Sequence, residues 1–357
     1  MSYSVETNNR TYWVVDDIRS IYQALITGAV TDEATGKPLT RNFRLECDHP
    51  RLKPNTSRDG LFALTGVRQL VFPDSAQAYT VPARFSADGF RPEMFQFDVP
   101  VNPVFPLAAS QAVALRRLPV TLQGRVVKDV STADPISEAL VTVANLPGPR
   151  QYLLLRTPLY FDHADGQQVN IRSLAPEALD RQLIAPVAAG ARSIILQQTG
   201  GLLAGQVLRL QPAPAAGPAT KQEFVQVGAL GPASNEVTLR SALFHRWEVG
   251  SEVKRVNVGA PSGIANLVGK ALAGEGILVL TANLSGAGIE ITDPQPGRVE
   301  YHAVGALSGL DGYYAASGLG RGAFFQLKAG KTGFTGQTTI WTLDHAQAVN
   351  EVNFRLS

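Results

Sequence analysis

The chain has 357 residues, 45% of them hydrophobic and 17% charged, which is long enough for two or three cores and poor in charge for a globular surface. Its 32 basic and 30 acidic residues are scattered and leave a formal net charge of +2, without the basic stripe that nucleic acid requires. No apolar run approaches the roughly 20 residues of a membrane-spanning helix. Residues 1–10 lack the basic and apolar regions of a secretory signal, so the expectation is cytoplasmic synthesis, with any release occurring as part of a particle.

Residues 1–25 read as an N-terminal arm. The stretch Tyr12-Trp-Val-Val-Asp-Asp-Ile-Arg-Ser-Ile-Tyr22 concentrates aromatic and β-branched residues ahead of the first regular pattern. Tyr12, Trp13, Ile18, Arg19 and Tyr22 are the candidate docking residues, because aromatics and arginine dominate interface centres. The competing reading is that the arm packs back onto its own first domain. Glu6 and the pair Asp16-Asp17 read as exposed acids. Residues 16–25 and 176–182 are the two stretches with helical spacing.

Elsewhere 33 glycines and 23 prolines punctuate short runs of Val, Ile, Leu, Phe and Tyr. Turn signals about every 8 to 12 residues predict an all-β chain of sandwiches or small barrels. Cys47, the single cysteine, excludes an internal disulfide and reads as a small packing residue on a strand. Arg116, Arg117, Arg125 and Lys128 read as solvated positions flanking strands.

Internal repeats carry the most information. Leu155-Arg-Thr-Pro-Leu-Tyr160, with Gly166 and Val169, recurs 84 residues later as Leu239-Arg-Ser-Ala-Leu-Phe244, with Gly250 and Val253. Glu223-Phe224, Val227 and Leu230 recur as Glu300-Tyr301, Val304 and Leu307, and Leu203-Ala-Gly205 has a looser echo in Leu272-Ala-Gly274. Residues 149–297 are therefore expected to hold small barrel-like β units, the clearest copy spanning 183–256. Residues 212–218 read as a surface loop.

Between 26 and 119 the pieces Gly28-Ala-Val30, Asp32, Thr35-Gly-Lys-Pro-Leu39, Asp59-Gly60-Leu-Phe62 and Gly89-Phe90 follow one another in order. This segment resembles the carboxypeptidase regulatory-like, or transthyretin-like, β-sandwich family. A second copy is split: Gly124-Arg-Val-Val127, Asp129 and Pro135-Ile136 supply its start, and Asp311-Gly312-Tyr-Tyr314 and Gly333-Phe334 resume it. The resemblance implies a second sandwich from 120–148 plus 298–357, interrupted by the repeats. Loop-closure cost grows only logarithmically with insert length, which permits this. Three sandwiches in line is the alternative.

A hydrolase needs a nucleophile, a base and oxyanion donors. Ser308 lies outside a Gly-x-Ser-x-Gly elbow and reads as a turn serine. His49, His163, His245, His302 and His345 lack metal-ligand spacing and read as surface or strand-end residues. Asp162-His163-Ala-Asp165-Gly166 could gather around a cation, but its repeat partner His245-Arg-Trp-Glu-Val-Gly250 drops the acids, which favours a structural role. Gly318-Leu-Gly320-Arg-Gly322 lacks the helix of a dinucleotide fingerprint and reads as a β turn. The expectation is a non-catalytic structural or adaptor protein that uses no cofactor or metal and whose partners are other protein subunits, copies of itself included. Its architecture resembles that of accessory proteins of phage tails and contractile injection systems. A carbohydrate- or protein-binding surface module is the alternative, and an unrecognised hydrolase ranks third.

Overall fold

The computed structural model describes all residues except 1–2, 8–9, 15–22, 41–42, 109–112, 131, 145–149, 214–219, 232–234, 293–298 and 323. Two units divide the chain, Met1–Leu118 and Pro119–Ser357. The first contains β1 (Tyr3–Thr7), β2 (Arg10–Val14), β3 (Gln23–Asp32), β4 (Phe43–Cys47), β5 (Lys53–Thr56) and β6 (Leu61–Gly66). A one-turn helix α1 (Arg68–Val71) precedes β7 (Tyr79–Ala87), β8 (Glu93–Val99), β9 (Leu107–Ala108) and β10 (Val113–Leu115).

The second unit begins with β11 (Val120–Lys128), β12 (Leu140–Val143), β13 (Gln151–Leu154), β14 (Gln168–Arg172), β15 (Leu174–Pro176), β16 (Arg181–Gln182) and β17 (Ser193–Ile195). Next come β18 (Val207–Gln211), β19 (Glu223–Leu230), β20 (Glu236–Leu239), β21 (Glu252–Val258), β22 (Gly263–Asn266), β23 (Ile277–Leu280) and β24 (Gly288–Thr292). The chain ends with β25 (Val299–Ala303), β26 (Ala306–Leu307), β27 (Tyr313–Leu319), β28 (Phe324–Gly330), β29 (Gln337–Thr342), β30 (Val349–Glu351) and β31 (Phe354–Leu356). The fold is all-β, as the turn spacing predicts. Among the described residues no helix is long and apolar enough to cross a membrane.

Neither predicted helix forms where it is described. Residues 176–182 hold the ends of β15 and β16, whose backbones pair with β21. Of 16–25, the described part opens β3, which pairs with β6. Three-residue spacing of apolar groups is weak in segments this short, and ladder pairing overrides it.

In the first unit the sheet β10-β3-β6-β5, with β9 also on β3, faces the sheet β4-β7-β8. Val81, Ala83 and Phe85 of β7 alternate inward, as a strand period of two requires, and meet Phe43, Phe62 and Phe97 in one core. Cys47 is half-buried against that core. Arg116 is not solvated but 5% exposed, with its Nε 2.6 Å from Glu33, while Arg117 keeps part of its side chain in solvent and binds Asp32. Burial alone would raise the Asp32 carboxyl, but hydrogen bonds from Arg117, Thr35 and Ala34 hold it below its ordinary value.

The second sandwich is assembled from distant segments: β11 pairs with β27, β30 and β31, while β12 pairs with β26 and β28. Its hydrogen bonds repeat those of the first. Val30 N donates to Gly60 O and Leu39 N to Val30 O; likewise Val126 N donates to Gly312 O and Ile136 N to Val126 O. Gly312 has φ +73°, and a Cβ there would sit 2.5 Å from Val126 O, so only glycine allows this approach.

Between β12 and β26 two modules are nested. The middle module, β13–β14 plus β22–β25, has its own core of Leu153, Leu155, Val169, Leu278, Ile289 and neighbours. The inner module, β15–β21, lies between β14 and β22 in sequence and encloses Leu183, Leu196, Leu210, Val225, Trp247 and neighbours. Entry and exit of the inner module meet where Leu174 opposes Val258. The ends of each ladder are joined by single bridges, Leu183 to Leu196 and Leu267 to Leu280, so each module wraps its core without a continuous closed barrel. The last repeat is divided: Val299–Ala303 pairs within the middle module and Ala306–Leu307 within the sandwich.

Candidate functional site

The repeats converge on two buried glutamates. Glu300, on β25, is 2% exposed, and its carboxylate accepts four hydrogen bonds. Tyr160 N and Phe161 N donate at 2.8 Å each, His163 Nε2 lies at 2.6 Å and His302 Nε2 at 2.8 Å. Glu223, at the corresponding place on β19 and 0% exposed, binds the corresponding loop. It accepts from Phe244 N, from His245 N at 3.3 Å, from Trp247 Nε1 at 2.8 Å and from the Tyr160 hydroxyl at 3.1 Å. Tyr160 thus touches both carboxylates, its backbone on Glu300 and its hydroxyl on Glu223, and its ring stacks on His302.

The two carboxylates differ in charge environment. His163 Nδ1 faces Gln167 Oε1 at 3.2 Å; Gln167 also accepts from Ala164 N and donates from its own Nε2 to Thr292 O. Both ring nitrogens of His163 therefore face oxygen atoms of neighbouring side chains. Burial by itself would raise Glu300, but the hydrogen bonds and charges of His163 and His302 hold it down at about 2. At Glu223 burial wins over its backbone, indole and phenol donors, and the carboxyl is raised. Burial, with both carboxylates near, pushes the Tyr160 phenol well above its ordinary value. Burial and the Lys221 charge push His245 down to about 4.

His163 and His302 are 2% and 1% exposed, so they are core residues and not surface ones, although His302 does lie near the end of β25. Immersed between strands, an imidazole is tolerated because the glutamate supplies its acceptor. Asp162 and Asp165, the acids beside His163, accept from Ala273 N and Gly269 N at 2.8 and 2.7 Å. Among the described residues no group of three or more His, Cys, Asp and Glu is arranged to hold a metal ion. Ser308 is fully buried, donating to Ile136 O and accepting from Ala139 N, where it ties the segment before β12 to the segment after β26. The turn at Leu272–Gly274 matches 188–190 in three dimensions, not 203–205, because His163 bridges Ala271 as Trp247 bridges Val187.

Of the docking candidates, Tyr12 and Trp13 lie on β2, opposite Val5 and Ser4 of β1. Ile18, Arg19 and Tyr22 lie outside the described residues. β1 and β2 form a two-stranded sheet that joins no other strand among the described residues. An open groove of about 530 Å³ runs between β4 and β5, lined by Arg44, Pro54, Thr56, Ser86 and Asp88 over Phe43 and Leu45.

The glutamates could be found in sequence, since each opens the second repeat as an acid directly before an aromatic strand residue, Phe224 or Tyr301. Their ligands are scattered over 140 residues, from Tyr160 to Glu300, and pairing them needs the ladder register.

No family model matches the chain, and no curated protein matches it. Among solved structures, the tailspike protein gp49 from Pseudomonas phage LKA1 is 29% identical over 25% of this chain, with a TM-score of 0.19. The chain spans 15% of that tailspike's length. The major pilin subunit of Bacillus cereus is 9% identical over 93% of this chain and 98% of its own, also with a TM-score of 0.19. At such scores neither superposition defines a common fold.

Proposed function

We propose that this chain is a non-catalytic structural or adaptor subunit of a large protein assembly, of the phage-tail-like or contractile-injection kind, docked through its N-terminal hairpin. The observation that carries the reading is the β1–β2 ladder, which belongs to no larger sheet among the described residues. A lone two-stranded hairpin is marginal in water and gains its stability by joining a further surface. The polar clusters that would otherwise invite a catalytic reading are occupied in holding loops to strands. Both sandwiches are read here as carboxypeptidase regulatory-like modules, on the shared Asp-Gly hairpin and its hydrogen bonds.

The test is co-purification of the tagged full chain from its native source. The reading predicts recovery in a particle with sheath- and tube-type subunits, and reduced recovery of Trp13→Ala. A full chain recovered free of any larger particle contradicts it.

A further inference from the structure

The two sandwiches differ at one equivalent edge. β8 closes the sheet β4-β7-β8, and β29 closes the sheet β26-β12-β28-β29. Natural edges are blunted by charge, proline, bulges or cover, because their outward N–H and C=O groups otherwise recruit another strand. β8 carries Glu93 and Asp98, β4 carries Arg44 and Glu46, β5 contains Lys53 and Pro54, and β25 contains the buried Glu300. β27 is uncharged, but its pairing with β11 is broken by a register shift, and Gly276 N already binds Gly318 O.

β29, Gln-Thr-Thr-Ile-Trp-Thr, has no charge and no proline, and among the described residues no strand pairs with its outer edge. It runs in six consecutive register pairs with β28 without a bulge. Every residue is of a type that favours strands or is neutral and polar. Ile340 is 63% exposed, and Trp341 is half-buried with its ring stacked on Phe325. Gln337 is also engaged beyond the ladder, its side chain accepting from Arg355 N. The same chain carries the complementary element: a five-residue hairpin ladder, β1–β2, with both outer edges unpaired among the described residues.

We infer that the N-terminal hairpin of one copy adds as strands to the β29 edge of a second copy, linking copies head to tail. This rests on the docking role proposed for the hairpin and names its acceptor. Main-chain hydrogen bonds supply the affinity of such strand addition. Because donor and acceptor are different surfaces, the contact is heterologous and builds a ring or a filament, not a closed two-fold dimer.

The test uses three forms of the chain: full length, full length with Thr338→Lys and Ile340→Lys, and the chain lacking residues 1–14. Circular dichroism melts establish that each is folded, and light scattering over a concentration series reads mass. The full chain is expected to grow with concentration. Each altered form alone is expected to stay monomeric, its association weakened by ~10-fold or more, about 1.4 kcal/mol. Their equimolar mixture is expected to stop at one-to-one pairs, because one form retains the hairpin and the other the edge. Should the lysine form fail to fold, Thr342→Lys alone takes its place. A full chain monomeric throughout, a truncated chain that still associates, or a mixture that fails to pair overturns the inference. A monomeric full chain that nevertheless enters a particle refutes this contact and leaves the adaptor reading standing; self-association without any particle does the reverse.

Discussion

The middle and inner modules share one ladder, yet they bury different faces. Leu154 opposes Ile277 in the middle module, and 84 residues away Thr238 opposes Ser193 in the inner one. Leu154 and Ile277 belong to the core of the outer sandwich, so β23 is buried on both faces and reads Ile-Leu-Val-Leu. β17 has one face in solvent and alternates Ser-Ile-Ile, exposed, buried, exposed. Burial on two faces demands a continuous apolar run and burial on one demands alternation. Gly276 approaches Ser317 O where the inner module carries an exposed Arg192. One repeat has thus been fitted to protein and the other to water.

The glutamate clamps diverge in the same way, with His163 at the position of Trp247. Leucine at either glutamate would strand buried donors. Glu300→Leu also strands two buried imidazoles, His163 and His302, and the expected cost of breaking this buried cluster is about 3–5 kcal/mol. Glu223→Leu removes a carboxyl that burial already pushes towards neutrality, and about 1–3 kcal/mol is expected, the range for a stranded neutral donor. Urea unfolding of the two variants measures the difference; equal losses would break the distinction between a charged and a neutral clamp.

Acid sharpens it. Glu300 is held at about 2 against an ordinary 4.5, so its contribution is complete above pH 4.5 and is lost as pH falls towards 2. That loss is about 3 kcal/mol, and Glu300→Gln should remove it from the acid limb of a stability profile. His245, at about 4 in the fold against 6.5, adds an earlier loss: below pH 6.5 the unfolded chain takes up the proton first, until pH 4. His245→Gln should flatten that earlier segment alone. Glu223 has the opposite sign, since its raised carboxyl costs stability as pH rises above its ordinary value of 4.5.

The packing difference predicts smaller effects. A Cβ at Gly276 would lie 1.8 Å from Ser317 O, so Gly276→Ala should cost about 2–3 kcal/mol through displaced backbone. Arg192→Ala, its exposed counterpart, should stay within ~0.5 kcal/mol. Thermal melts of the pair check both, and a large loss at Arg192 would mean that the inner face is also covered.

Much of this architecture is legible in the residues because the devices are local. Asp59-Gly60 and Asp311-Gly312 mark hairpins through a glycine that backbone crowding demands. Repeated Leu-Arg and Glu-aromatic motifs mark the ladders without their nesting, because the middle module joins residues 151–172 to 263–304 across its twin. His163, His302 and Arg116 are legible in the sequence only as polar residues. Their burial depends on acids supplied by other strands, which spacing along the chain does not record.

The buried Glu300 cluster holds loops to strands, and the proposed docking function makes no use of it. Urea unfolding of Glu300→Gln, run beside recovery of the variant in the proposed assembly well below the midpoint, tests it most directly. A stability loss of about 3 kcal/mol with incorporation unchanged is predicted. Unchanged stability with incorporation abolished would contradict it.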